Sequence, residues 1–172
     1  MIWTKVSTPL GPVTLAAEEA GLTGLWFVGQ AYDKGPWVRA QGKEGDCPAF
    51  CQARQWLEAY FSGTFLPVKV PLAPEGTAFQ KGVWEILRTI PPGKTMTYGQ
   101  IAGLLEARGH RRVSAQAVGG AVGRNPLSLL IPCHRVVGAQ GQLTGYAAGL
   151  SVKRRLLELE GASFDSRGRL IR

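Results

Sequence analysis

Proline, cysteine, histidine and arginine follow one another at Pro132-Cys133-His134-Arg135, directly after the apolar run Leu127–Ile131. A thiol reacts as its thiolate, and a neighbouring imidazole or guanidinium lowers its pKa. Cys133 is therefore a candidate nucleophile and His134 a candidate base, acting directly or through one water. Adjacency does not settle the matter. Consecutive side chains diverge unless a tight turn gathers them, and a buried cysteine also packs as a small hydrophobe. The final helix supplies a third group. Val152, Leu156 and Leu159 recur at spacings of four and three, the mark of a buried stripe. Glu160 follows Leu156 by four and Leu157 by three, so it falls on or beside that stripe, whereas Glu158 follows Arg154 and Arg155 and can pair with them in solvent. A buried carboxylate needs a partner. Glu160 is thus a candidate to orient a histidine, which gives a Cys–His–Glu relay, although a helix-end Glu near solvent has the same spacing. The chain has two histidines. His110 lies in a basic loop, which leaves His134 as the partner.

A second constellation lies at Ser114–Gly123. At helical spacing Gln116, Gly119, Gly120 and Gly123 face away from Ala115, Val118 and Val122. Each glycine costs a helix roughly 1 kcal/mol relative to alanine. A helix that keeps them brings its backbone close to something, either a narrow nucleic-acid groove or another helix. Charge points the same way without deciding. Residues 1–80 carry six basic and seven acidic residues, residues 81–172 fourteen and five, so the whole net charge of +8 sits in the second half. A polyanionic partner and a merely solubilising basic surface both fit.

The elements that must position these residues read in two halves. Strand-like runs at Ile2–Ser7, Val13–Ala17 and Leu22–Val28, joined by tight turns, predict an antiparallel sheet. Gln30–Asp46 reads as a Gly-rich charged loop. Asp46 and Pro48 open a helix that buries Phe50, Ala53, Trp56, Leu57, Tyr60 and Phe61 and stops at Gly63. Leu66–Pro74 reads as an extended linker. Thr77–Gln80 and Thr97–Gln100 have capping-box form, the first opening a helix that ends at Pro91, the second a short helix to about Leu105. Ser114 and Ser151 can cap two more, the last ending at Gly161. The helices at 97–105 and 114–123 resemble a helix-turn-helix with a long connection.

A chain of 172 residues, 45% hydrophobic and 19% charged, can bury a core, and no apolar run approaches the ~20 residues of a membrane span. Met1–Lys5 does not read as a signal peptide, and three cysteines make no disulfide framework, which predicts a reducing, cytoplasmic setting. The predicted fold class is α+β: a small N-terminal antiparallel sheet with a helix (1–74, linker included), then a mostly helical domain containing the helix-turn-helix (75–172).

The run Asn125-Pro126…Ile131-Pro132-Cys133-His134-Arg135-Val136-Val137-Gly138, then Thr144-Gly145-Tyr146, Gly149-Leu150 and Glu160-Gly161, closely resembles the O6-alkylguanine-DNA alkyltransferases, the methylated-DNA–protein-cysteine methyltransferases. The likeness spans about Thr77 to Gly161, and more loosely the N-terminal strands. It implies a ribonuclease H-like N-terminal domain and a single-turnover direct-repair protein that needs no cofactor. Such a protein binds double-stranded DNA in the minor groove and flips the damaged guanine into a pocket, since O6 is unreachable inside the stack. By position, Cys133 accepts the alkyl group, His134 is the base acting through water, and Glu160 orients His134. Asn125 braces the turn, and Tyr98 helps flip the nucleotide and protonate the departing guanine. Val136, Tyr146, Ala147 and Ala148 line the pocket. Thr97, Tyr98, Ala115, Gln116, Ala117, Gly119, Gly120, Arg124 and Arg135 meet DNA. The expected state is a monomer that clusters along DNA, with no membrane partner.

Three departures stand out. Gln116 occupies the position where the family usually has an intruding arginine. Ala147-Ala148-Gly149 stands where Ser-Gly-Gly is frequent. Cys47 and Cys51 come without an N-terminal histidine, so no metal is expected and both read as structural thiols, a reversible disulfide being the alternative. Two other functions remain in play: a lesion-recognising DNA-binding protein with weak or no transfer, and a cysteine hydrolase built on Cys133, His134 and Glu160.

Overall fold

A computed structural model describes residues 1–171. The chain divides into two compact units, Met1–Glu75 with Pro126–Leu130, and Gly76–Asn125 with the residues from Ile131 onward. The division is therefore not a single cut after residue 74: a five-residue piece of the second half joins the first unit.

In the first unit β1 (Ile2–Val6), β2 (Val13–Glu18) and β3 (Gly21–Phe27) form antiparallel neighbours, with Thr4 opposite Leu15 and Leu15 opposite Leu25. The helix α1 (Gly35–Gln41) and the short β4 (Lys43–Glu44) follow, and β4 pairs parallel to β1, giving the order β3-β2-β1-β4. The sheet is thus mixed, and Gln30–Asp46 is not the loop that its glycines and charges suggested. Pro36 in the first turn of α1 has a φ already set for a helix, and Val38 tucks against Ala16 and Trp26. A single tertiary contact surface outweighs poor local propensity here. The helix α2 (Pro48–Phe61) buries Phe50, Ala53, Trp56, Leu57 and Tyr60, with Trp56 stacked on Tyr60 at 5.2 Å. The linker is extended as its prolines require, and it is pinned: Leu22, bridged in parallel to Leu72, donates its N–H to the Pro71 carbonyl and accepts from the Ala73 N–H. Gly21 has φ +139°, and a Cβ there would sit 2.5 Å from the Pro71 carbonyl oxygen, so only glycine lets the linker lie this close. Leu127 bridges Leu25 in the same way, which is where the apolar run before Pro132 goes.

The second unit is helical. The helix α3 (Ala78–Leu87) starts at a complete Thr77–Gln80 capping box and buries Val83, Trp84, Ile86 and Leu87. A two-residue strand β5 (Met96–Thr97) leads into α4 (Tyr98–Ala107), whose Thr97–Gln100 box is also complete, and α5 (Ala115–Gly123) is capped by Ser114. Trp84 fixes α3 to α5 by donating its indole N–H to the Ala121 carbonyl at 2.9 Å. After the Cys133 region come β6 (Val136–Val137), parallel to β5, then α6 (Leu150–Leu159) and the hairpin β7 (Ser163–Phe164) and β8 (Leu170–Ile171). Ser151 does not cap α6. Gly149, at φ +98°, is the cap residue, and no side chain caps the helix. Among the described residues no helix is long and apolar enough to cross a membrane.

Candidate active site and nucleic-acid interface

The acceptor candidate sits on a tight turn. Pro132 at φ −80°, ψ 67° makes an inverse γ-turn in which the Cys133 N–H donates to the Ile131 carbonyl at 2.8 Å. The Asn125 amide donates to the same carbonyl, also at 2.8 Å, so Asn125 braces the turn. One 3-10 turn, Cys133–Arg135, follows and sends His134 and Arg135 to one carboxylate, that of Glu160. Register carries Tyr98 into the region. Met96 pairs with Val136 and Thr97 with Val137, so α4 begins beside the strand that leaves the turn.

His134 is fully buried, and its Nε2 lies 2.5 Å from Glu160 Oε2. Arg135 forks onto the same carboxylate, Nε to Oε1 at 2.7 Å and a terminal nitrogen to Oε2 at 3.2 Å, and its other nitrogen donates to the Ile90 carbonyl at 2.6 Å. Burial would raise the Glu160 pKa, but the hydrogen bonds and charges of His134 and Arg135 outweigh it and hold the carboxyl at about 2. Burial pushes His134 below its ordinary value despite Glu160. At neutral pH the pair is therefore a carboxylate and a neutral imidazole. Nε2–H points at Glu160, which assigns the lone pair to Nδ1. Burial also raises the Cys133 thiol, partly opposed by hydrogen bonds from Asn125 and Tyr146 and by the charge of Lys153. At rest the site holds a thiol with a base beside it in sequence whose protonated form a carboxylate would stabilise.

The structure thus places Cys133, His134 and Glu160, the residues picked out by type and spacing, in one unit with Asn125, whose place the resemblance implied. Tyr98 joins them: its hydroxyl donates to the Thr144 carbonyl at 3.0 Å, and burial raises its pKa. Tyr146, Ala147 and Ala148 are half-buried, and Val136 is fully buried in the strand that leaves the turn. Arg135 needs a correction. Expected at DNA, it is 6% exposed with its guanidinium committed to Glu160 and Ile90, so it is a partner of the relay and has no free fork for a phosphate.

The stripe of α6 also differs from the expected one. Lys153, Leu156 and Leu157 are buried, whereas Val152 and Leu159 are half-buried. Lys153 was missed, yet it precedes Leu156 by three and Leu157 by four, the same spacing rule that picked out Glu160. The signal was there, and the charge of a lysine argued against using it.

On the other face of this unit's helices, Gln116, Ala115, Ala117, Gly120 and Arg124 are exposed, and Thr97, Tyr98 and Gly119 are half-buried. A Cβ at Gly120 or Gly123 would meet nothing within 4 Å, and at Gly119 only the Tyr98 ring at an ordinary 3.8 Å. Close packing of helices therefore does not explain these glycines. Cys47 is half-buried at the start of α2, and Cys51 is exposed, so Cys51 is not a packed structural thiol; both are reduced.

The family model for the 6-O-methylguanine DNA methyltransferase DNA-binding domain matches residues 78–162, and that for its ribonuclease-like domain matches residues 1–74. The chain belongs to this family. A methylated-DNA–protein-cysteine methyltransferase of Methanosarcina acetivorans is 45% identical over 94% of this chain and 99% of its own length. One of Mycobacterium tuberculosis is 44% identical over 92% of this chain and 91% of its own. Among solved structures, Mycobacterium tuberculosis OGT in complex with DNA superposes with a TM-score of 0.83 at 42% identity, covering 93% of each chain. An O6-methylguanine DNA methyltransferase from Methanococcus jannaschii gives 0.65 at 29% identity over 95% of this chain and 96% of its own. Family membership fits a site built around one buried thiol and its histidine.

Proposed function

We infer that this chain repairs O6-alkylguanine in DNA directly, by moving the alkyl group onto its own Cys133. The observation that carries the assignment to Cys133 is the Glu160–His134 contact next to it: a fully buried imidazole held on a carboxylate kept ionised at about pKa 2. His134 takes the thiol proton through a water molecule, and Glu160 stabilises the imidazolium that forms. The thiolate attacks the alkyl carbon in line with the C–O6 bond. A C–S bond forms, the C–O bond breaks, and its electron pair leaves with guanine, which Tyr98 helps to protonate. A thioether is no leaving group, so each molecule acts once.

The helix α5 enters the minor groove, the flipped guanine lies between Tyr98 and the 146–148 segment, and Gln116 fills the gap in the stack. Open space beyond Gly120 and Gly123 supports this approach, because a backbone without side chains can come close to a narrow groove. Exposed Arg108, Arg111, Arg112 and Arg124 supply phosphate contacts. The protein acts as a monomer in the cytoplasm and clusters along DNA; three free thiols fit a reducing compartment.

The test is intact-mass measurement after incubation with duplex DNA containing O6-methylguanine. One methyl group per protein, mapped to Cys133, is expected. Cys133→Ser should abolish transfer and keep DNA affinity, because a hydroxyl is far less ionised at neutral pH. Label on Cys47 or Cys51, or many turnovers per molecule, would overturn the assignment.

A further inference from the structure

The hairpin of β7 and β8 lies beyond residues 78–162, the stretch that the family model matches, and the chemistry above gives it no task. Its register pairs Ser163 with Ile171 and Phe164 with Leu170. Asp165 closes the turn. Its carboxylate accepts from the Arg167 N–H at 2.9 Å and the Arg169 N–H at 2.8 Å, and its own N–H donates to the Arg169 carbonyl at 2.8 Å. The Phe164 ring lies 4.8 Å from the Arg154 guanidinium of α6. A two-stranded hairpin is marginal by itself in water, so it needs a surface to rest on. That surface is not the core. No side chain from 163 to 171 is fully buried, and Ser163, Leu170 and Ile171 line a cavity of about 180 Å³ together with residues 93–95.

The close contact is with the chain that leads into the site. Gln142 and Arg169 form an antiparallel backbone bridge. Gly141, at φ +74°, lies so near Leu170 that a Cβ there would sit 2.7 Å from the Leu170 carbonyl oxygen. Backbone meets backbone, and only glycine permits it. Residues 143–149 belong to no helix or strand, so their place depends on what holds their ends. The helix α6 holds one end and the hairpin the other. Between them the Thr144 carbonyl accepts from the Tyr98 hydroxyl, and Tyr146 hydrogen-bonds the Cys133 sulfur.

We propose that the C-terminal hairpin is a strap for the base pocket: by clamping Gly141 and Gln142 it holds residues 144–148 where the flipped guanine enters, with Asp165 and Leu170 as its positioning residues. The proposal deepens the repair reading and rests on it for the identity of the pocket's guest. A hairpin that only covered the protein would bury side chains, and this one buries none fully. A misplacement of about 1 Å in a segment that orients a substrate can cost up to about 10²-fold in rate.

Three full-length variants test the strap. Asp165→Ala removes the acceptor that closes the turn, Asp165→Asn keeps an oxygen there, and Phe164→Ala removes the ring paired with Leu170. None of them alters Cys133, its relay or α5. Hydrogen exchange at residues 138–146 should quicken about 10-fold or more in Asp165→Ala and Phe164→Ala, along with exchange in the hairpin, and stay near wild type in Asp165→Asn. Single-turnover methyl transfer from duplex DNA containing O6-methylguanine should slow about 10-fold in the same two variants and recover in Asp165→Asn. Affinity for undamaged duplex and the melting temperature should hardly move, which separates a strap from a general loss of structure. A hairpin that loosens while 138–146 exchange as in wild type would overturn the proposal. So would an unchanged transfer rate once 138–146 have loosened, or loss of the fold in both alanine variants. If only one fails to fold, the other carries the comparison. If 138–146 loosen as expected but the wild type takes no methyl group from DNA, the repair reading falls and the clamp on 141–142 stands.

Discussion

Glu158 and Glu160 lie two residues apart at the end of one helix, and their environments are opposite. Glu158 pairs with Arg154 across one turn at 2.9 Å with both side chains nearly half exposed, a contact worth little in water. Glu160 is 7% exposed and serves His134 and Arg135 together. Glu160→Gln should slow methyl transfer by about 10²-fold or more, the scale of lost acid–base assistance. It should also lower the melting temperature, because Arg135 stays buried without its anion, and breaking such a pair costs about 3–5 kcal/mol. Glu158→Gln should change neither. Single-turnover kinetics well below both melting temperatures tests this, and equal losses from the two substitutions would refute the relay.

At the scale of elements, α5 is a helix with a buried side of Val118, Ala121 and Val122 and an open side that packing does not require. Lysine is a better helix former than glycine by up to about 1 kcal/mol, and nothing lies within 4 Å of a Cβ at position 120. Gly120→Lys should therefore hold or raise the melting temperature, yet weaken binding to duplex DNA despite the added charge, because the side chain occupies the groove. Tighter binding would show that this face does not approach DNA. Gln116→Arg should bind duplex more tightly and transfer faster from it, with little change toward a free guanine-derived substrate, which needs no flipping. If both substrates respond alike, Gln116 is not the intruding residue.

For the whole molecule, acid is the weak side. Glu160 ionises at about 2 in the fold against an ordinary 4.5, and His134 is held below its ordinary 6.5. In both cases the unfolded chain binds a proton that the native chain does not, so stability falls as pH falls. The decline should begin below about pH 6.5 with His134 and steepen below about 4.5 with Glu160. Urea unfolding between pH 7.5 and 4 should show this slope, and Glu160→Gln should lose the lower part of it; a slope identical in the variant would dissociate acid sensitivity from the relay. The basic excess of residues 81–172 acts at the same scale. Affinity for DNA should fall linearly in log–log form with salt and depend weakly on sequence. A salt-independent affinity would mean that phosphates are not what the basic half meets.

What could be read without coordinates was whatever depends on near neighbours along the chain. The capping boxes at Thr77 and Thr97, the buried face of α2 and the candidacy of Cys133 and Glu160 follow from spacings of three and four and from the chemistry of single side chains. The resemblance of the Pro-Cys-His-Arg run added roles to those residues. Folding alone decided the rest, because contacts distant in sequence outweigh local preference. The glycine-rich 30–46 stretch gains a helix and an edge strand once Val38 and the first strand offer a surface. Residues 126–130 leave their neighbours to join the first unit through Leu25. Arg135 turns from solvent to Glu160, and Lys153 goes fully inside, since the Thr144 and Gly145 carbonyls meet its ammonium there. A charged residue's place is set by partners far away in the chain, and those partners come together only in the folded protein.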